Sequence, residues 1–220
     1  MRIVVLAGGL STEREVSISS GTLVAEALRS KGHEVVLLDV FMGYEENICD
    51  IDALFKQNYS FTDGNSIGDD VENTITNIKE AKENRLDKTS RYIGRNVIEI
   101  CAEADITFLA LHGGEGENGQ LQATLDLFGI KYTGSGYLGS ALAMNKGLTK
   151  SVFMQKNINT PSGELYKNEN DLHGICFRAS LSHARAVQVL VFQRLRMQIS
   201  IKRLLKRLSI MRTKLLLNSS

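Results

Sequence analysis

The 220-residue sequence has no tryptophan, one proline and three cysteines. Cys49, Cys101 and Cys176 lie far apart and form neither a C-x-x-C pair nor a metal-ligand spacing. That pattern excludes a disulfide scaffold or a zinc module and reads as a reduced, cytoplasmic protein. No apolar run is long enough to span a bilayer. Ile3 to Leu10 has the length of a signal core, but no small-residue cleavage site follows and Thr12 to Glu15 come at once, so it is read as a strand. The Gly8-Gly9 that closes this run is not a G-x-G-x-x-G fingerprint, so dinucleotide binding is not indicated. Acid is missing from one stretch altogether. Residues 172–220 carry 10 basic residues and no Asp or Glu, whereas residues 1–171 carry 25 acidic and 16 basic residues.

What is present suits one or two packed domains. Ile3 to Ala7 reads as the first strand of a parallel sheet, and Val35 to Val40 as the second. Between them Ser11 or Thr12 caps a helix, with Thr12 and Glu15 in capping-box spacing. Val16, Ser20, Leu23, Val24, Ala27 and Leu28 mark its amphipathic face, and Lys31-Gly32 its end. Strand, glycine turn, helix and strand make a βαβ unit, the seed of a doubly wound sheet. Glu13, beside the turn, is either a helix N-terminal carboxylate favoured by the macrodipole or a site residue. Asp50 to Phe55 and Val71 to Lys82 are helix candidates inside a polar region, residues 42–92. There Asp69, Asp70 and Glu72 read as a solvated insertion rather than a metal site. Val97 to Cys101 leads into a strand at Ile106 to Leu111. Ile130 to Tyr132 reads as a further short strand, Leu138 to Met144 as a helix, and Asn145-Lys146 as the start of another that Asn159-Thr160-Pro161 stops.

The densest chemistry is His112-Gly-Gly-Glu-Gly-Glu-Asn-Gly-Gln-Leu-Gln-Ala123. It follows the strand ending at Leu111 and runs into Leu121, Leu125 and Phe128, spaced as one helix face. A histidine, carboxylates and glycines thus fall where a strand ends and a helix begins, the place where α/β sheets bind ligands. Glycines there admit close approach of backbone to ligand, and a helix N-terminus favours negative charge. The plainer alternative is a glycine-rich connection with solvated charges. Lys146 and Lys150, one turn apart, read by themselves as an exposed basic helix end.

Taken in order, Leu6-Ala-Gly-Gly-Leu-Ser-Thr-Glu13-Arg-Glu-Val-Ser17, the His112 motif, Tyr132-Thr-Gly-Ser-Gly136 and Met144-Asn-Lys146 resemble the D-alanine–D-alanine ligases of the ATP-grasp superfamily, over residues 1 to about 166. The resemblance implies an α/β fold. A Rossmann-like parallel sheet, the pre-ATP-grasp substrate domain, would span residues 1–136, and the start of an ATP-grasp domain residues 137–170. It implies ATP-dependent joining of two D-alanines through an acyl phosphate, for peptidoglycan precursor synthesis. Glu13 and His112 would be catalytic. Glu13 would hold the first substrate's ammonium with Val16 and Ser17 lining that site, since a partly desolvated ammonium needs a carboxylate partner. His112 would stabilise the phosphorylated carboxylate, and Lys146 would contact ATP phosphates. The resemblance further implies Mg²⁺, a homodimer, small-molecule substrates, and neither nucleic acid nor membrane as partner. It leaves open D-lactate as the second substrate, or another ATP-grasp ligase.

A glycine-serine phosphate loop, a second ATP lysine, an arginine for the transferring phosphate and acidic Mg²⁺ ligands are not found in this sequence. Phosphoryl transfer leans heavily on such groups, so the 220-residue chain is expected to be a truncated, inactive fragment. Residues 171–220 admit two readings. One is a basic amphipathic tail for membrane or nucleic acid, with Ile201, Leu204, Leu205, Leu208 and Met211 at helical spacing. The other is translation in a shifted frame. When the third base of each codon is read with the first two of the next, Ser180 to Gln193 permit Val-Lys-Pro-Cys-Ser-Gly-Gly-Ser-Ser-Val-Gly-Val-Ser. That string contains the absent lysine and phosphate loop. The shifted frame is the preferred reading, with a poorly ordered tail as its consequence.

Overall fold

The unbroken apolar runs become the centre of a parallel sheet in the computed structural model of the chain, which describes residues 1–48, 50–61, 71–161, 163–166, 179–184 and 187–192. β1 (Arg2–Ala7), α1 (Arg14–Ser30) and β2 (Glu34–Asp39) form the expected βαβ unit. β3 (Ile106–Leu109) adds to the other edge of β1, giving the order β2-β1-β3 with all pairings parallel. Val4 stands opposite Val36 on one side and Thr107 on the other.

Alternate residues of each strand supply opposite faces. Val4, Leu6, Val36 and Leu38 pack with Phe55, Ile100, Leu121 and Leu125 on one face. Ile3, Val5, Ala7, Val35 and Leu37 pack with Ala25 of α1 and Ala110 on the other. Burial on both faces is why these strands read as continuous apolar runs rather than alternating ones. The remaining elements of this part are α2 (Ile51–Lys56), α3 (Val71–Asn84), α4 (Val97–Ala102), the single turn α5 (Gly114–Glu117), α6 (Gln120–Leu127) and α7 (Tyr137–Met144). Asp50 caps α2 by accepting the Ala53 N–H.

Several expectations are corrected. α1 does not sit on the sheet through Val16, Leu23 and Ala27, which are exposed. Its buried face is Arg14, Ser17, Gly21 and Ala25. Small residues decide this packing: a Cβ on Gly21 would lie 2.7 Å from that of Ala7, so the helix backbone rides directly on β1. The Thr12–Glu15 capping box does not form either. Helix geometry begins at Arg14 with Glu13 as N-cap, and Glu13 makes no side-chain cap bond. The helix end is as expected. Gly32 at φ +82° completes a Schellman motif, with the Gly32 N–H on Arg29 O and the His33 N–H on Leu28 O. Phe128 is the C-cap of α6 and 62% exposed, because the helix ends before that position can turn inward. Ile130 to Tyr132 shrinks to one bridge, Thr107 to Tyr132, flanked by two hydrogen bonds.

The chain divides into two compact units, Met1–Ala141 and Leu142–Ser220, against an expected boundary after residue 136. In the second unit α8 (Lys146–Gln155) starts where expected, with the Asn145 side chain accepting the Leu148 N–H. Its stop is Asn157 in the left-handed region at φ 55°, not Pro161. The Asn157 and Ile158 amides bond back to Met154 O and Phe153 O. β4 (Gly163–Tyr166), β5 (Ala179–Ala184) and β6 (Val187–Phe192) form an antiparallel sheet of order β4-β6-β5. β5 and β6 fall within the tail, consistent with the β-branched run around Val187, Val189 and Val191, and the rest of residues 171–220 lies outside the described residues. Residues 201–211, whose helical spacing supports the alternative reading of a basic amphipathic tail, lie outside the described residues, as do Asp69 and Asp70. Among the described residues no helix is long and apolar enough to cross a membrane.

Candidate functional site

β1 ends at Ala7, and the chain turns through Gly8 and Gly9, both at positive φ (72° and 80°). The turn has a buried organiser. Asp39, at the end of β2, is fully buried; its Oδ1 accepts the N–H groups of Phe41 at 2.8 Å and of Gly9 and Met42 at 3.2 Å. Its other oxygen pairs with Arg14, itself 7% exposed, whose guanidinium also donates to Gly9 O at 2.7 Å. A Cβ on Gly8 would strike this carboxylate, so both the φ and the room demand glycine there. Arg14 is drawn inward, and its neighbour Glu13 is left at the surface on the N-cap of α1.

The ends of β1 and β3 are tied together by serines of the following segment. Ser17 Oγ accepts the Gly8 N–H at 2.9 Å and donates to Ala110 O at 2.8 Å. The Ser11 hydroxyl donates to the carbonyl of His112 and accepts the Glu13 N–H at 3.1 Å. The His112 ring reaches α1, with Nε2 3.2 Å from Ser20 Oγ. Gly113, at φ +67°, lies against the Glu13 carboxylate: a Cβ there would come within 3.1 Å of Glu13 Oε2. The two residues singled out from sequence, a hundred positions apart, therefore reach the same edge of the sheet.

The other expected site residues fare differently. Val16 is 52% exposed on the outer side of α1. Ser17 is fully buried with its hydroxyl engaged at both ends, so what it supplies is the spacing of two strand ends rather than a ligand contact. Lys146 opens α8 in the second unit and is exposed, while Lys150 closes the turn after that helix by donating to Thr160 Oγ1 and Pro161 O. Within the His112 motif, Asn118 and Gln122 fold the loop on itself. The Asn118 side chain accepts the Gln120 N–H, and that of Gln122 donates to Gly116 O at 2.8 Å.

The roles of Arg14, Asp39, Ser11, Ser20 and Tyr92 at this site escaped the sequence reading, which placed Ser11 only as a helix cap and Ser20 only on the amphipathic face of α1. Ser20 had a signal, since positions 13, 16 and 20 share a helix face. Tyr92 packs its hydroxyl against Gly9. Burial, then the charges of Glu115 and Asp39, push its phenol above the usual tyrosine range. A cleft of about 740 Å³ opens on the β2 side, walled by Arg14, Glu15, Tyr44, Glu45, Tyr59 and Glu80 among others. Glu13 and His112 are not among its lining residues, although Arg14 and Glu15 are. Among the described residues no cluster of His, Cys, Asp and Glu suits a metal ion.

Comparison with known proteins gives a consistent set of relatives. Residues 2–135 match a family model described as D-ala D-ala ligase N-terminus. The chain is 43% identical over 174 residues to a D-alanine–D-alanine ligase of Pediococcus pentosaceus, covering 79% of this chain and 48% of that protein. It is 43% identical over 169 residues to one of Lacticaseibacillus casei, covering 77% and 46%. The chain thus spans about half the length of the curated relatives it matches. A solved D-alanine–D-alanine ligase of Bacillus anthracis complexed with ATP is similar in fold, with TM-score 0.53 and 24% identity over 88% of this chain and 49% of that one.

Proposed function

The chain belongs to the D-alanine–D-alanine ligase family, and on that premise we propose that it is the N-terminal part of an ATP-dependent ligase that makes D-alanyl-D-alanine for peptidoglycan precursors. Residues 1–136 form the substrate domain of this reading, residues 137–170 open the ATP-grasp domain, and residues 171–220 are the out-of-frame tail. The γ-phosphoryl of ATP passes to the carboxylate of the first D-alanine and ADP leaves. The free amine of the second D-alanine then attacks the acyl carbon, and phosphate departs as the amide forms.

The roles follow from the residues. Glu13 offers the first D-alanine's ammonium a carboxylate, with Val16 beside it on the exposed side of α1. His112 donates to the phosphorylated carboxylate, where charge accumulates as the reaction proceeds. Lys146 meets ATP phosphates as a compact point charge. The Mg²⁺ that the family implies finds no donor set among the described residues. The same reading makes the enzyme a cytoplasmic homodimer acting on small molecules, with no nucleic acid or membrane as partner.

One observation carries this reading: the Glu13 carboxylate lies against Gly113, next to His112, at strand ends fastened by Ser11 and Ser17. Titration of the 220-residue chain with D-alanine, followed by amide NMR, tests it. D-alanine is expected to move the resonances of residues 13–20 and 112–114, and Glu13→Gln to abolish that response. Shifts confined to Glu45, Tyr59 and Glu80 would move the site to the cleft and refute the assignment.

A further inference from the structure

The hydrogen bond between His112 and α1 has a direction that the surrounding atoms decide. Ser20 Oγ lies 3.2 Å from His112 Nε2 and 2.6 Å from the carbonyl oxygen of Val16, one turn back on the same helix. A serine hydroxyl carries one proton, and a carbonyl oxygen only accepts. The shorter contact, at the close end of the O–H···O range, takes that proton. Ser20 Oγ then faces the ring with lone pairs alone, and the longer contact has the length of an N–H···O bond. The ring nitrogen there must bear the hydrogen.

We infer that Ser20 is a positioning residue, holding His112 as its Nε2–H tautomer and reserving Nδ1 for a ligand. Among the described residues Nδ1 has no hydrogen-bond partner. The hydrogen bond that one ring nitrogen makes decides the tautomer, and so which nitrogen is left for a ligand. Here that bond comes from the helix that also carries Glu13 at its N-cap. Ser11 holds the His112 carbonyl from the same segment, so backbone and ring are fixed by two serines flanking Glu13. A second proton, when the ring takes one, goes to Nδ1, because Nε2–H is already committed to Ser20 in both charge states. A neutral Nδ1 only accepts, so donation to a phosphorylated carboxylate uses the cationic ring, whose second proton sits on Nδ1; for that use the inference rests on the ligase reading, and for the tautomer it does not.

The test needs no substrate. Long-range ¹H–¹⁵N correlation of the imidazoles in the ¹⁵N-labelled 220-residue chain, at a pH where the ring is neutral, reports each nitrogen separately. The expected result is a protonated-type Nε2 and an unprotonated-type Nδ1 for His112. Ser20→Ala should lose this single pattern and give averaged shifts. Ser20→Thr, whose hydroxyl can make the same bond to the carbonyl one turn back, should restore it. Ser11→Ala should leave it unchanged, because Ser11 bonds the backbone rather than the ring. An unprotonated-type Nε2 in the unaltered chain overturns the inference, and so does an unchanged pattern in a Ser20→Ala chain whose amide spectrum shows it folded. Failure of D-alanine to bind would sink the ligase reading and leave the tautomer standing, so the two failures are distinguishable.

Discussion

Asp39 is the residue whose loss should damage the unit Met1–Ala141 most, and the structure orders the consequences of changing it. Three backbone amides and Arg14 converge on its carboxylate, and it is fully buried. Asp39→Asn keeps an oxygen for the amides but leaves the Arg14 guanidinium buried without a counter-charge, which costs about 3–5 kcal/mol. Asp39→Ala adds orphaned amides at about 1–3 kcal/mol each, reduced where water enters. Against a total stability of about 5–15 kcal/mol, that variant is expected to be largely unfolded at 25 °C. Arg14→Met is milder, at about 1–3 kcal/mol, since Asp39 retains its three amide donors. The double variant Arg14→Met, Asp39→Asn removes both charges and should be more stable than Asp39→Asn alone, because a neutral pair carries no desolvated ion. Urea unfolding followed by circular dichroism measures all four. At a denaturant slope of about 2 kcal/mol/M the Asp39→Asn midpoint falls by about 2 M. Midpoints within about 0.5 M of the unaltered chain, or a double variant worse than Asp39→Asn, would refute the idea that the pair is dry and coupled.

Other outcomes follow from the same geometry. Gly21→Ala gains about 1 kcal/mol of helix propensity but overpacks against Ala7 at about 1–3 kcal/mol, so thermal unfolding should show a net loss rather than the usual gain. In a chimera joining this chain's residues 1–161 to the remainder of the Pediococcus relative, Glu13→Gln should raise the KM for the first D-alanine about 10- to 100-fold, matching about 1.5–3 kcal/mol for a charged hydrogen bond, with the KM for ATP unchanged. In that chimera His112→Gln should lower turnover more than affinity, and steady-state rates decide both. Burial, reinforced by Glu99 and opposed by Thr107, pushes the Cys101 thiol up from 9.0 to about 12. The folded state prefers the protonated thiol, so that stabilisation is full below pH 9 and is lost as pH rises through about 12. Cys101→Ala should flatten the alkaline fall in stability, and native Cys101 should resist alkylation at neutral pH.

The sheet was legible because a parallel strand buried on both faces writes itself as an apolar run, as Ile3 to Ala7 and Val35 to Leu38 do. The face of α1 was not, because the rule that apolar residues point inward fails where backbone must touch backbone. Ser17, Gly21 and Ala25 pack inward for their smallness, while Val16 and Leu23 stay outside. The strand-end motif drew attention to His112 through residue type and position, while Glu13 stayed open between a helix-end carboxylate and a site residue until the resemblance to the ligases gave it a role. Nothing local marked the roles of Asp39 or Arg14, and the helix-face spacing of Ser20 did not name its partner, since each works through a residue remote in sequence: Asp39 lies 30 residues from Gly9, and Ser20 lies 92 from His112.

That division has a physical cause. On the proposed reading Glu13 and His112 meet a ligand and must keep a face open, and Glu13 is exposed and His112 half-buried. Neither can be held rigid by its own burial. The rigidity comes from beneath, where Arg14 and Asp39 fix the glycine turn, Ser17 pins two strand ends and Ser20 sets the ring. Shifts at those positions reach the carboxylate through α1, which has Glu13 at its N-cap, and reach the imidazole through Ser20. Substitutions at residues that touch no ligand should therefore impair ligand recognition before they unfold the domain. Ser20→Ala is the mildest of them: it removes one hydroxyl from a half-buried position and leaves the Arg14–Asp39 pair intact. It should leave the urea midpoint nearly unchanged while disturbing His112, a separation that a purely structural role for Ser20 does not produce.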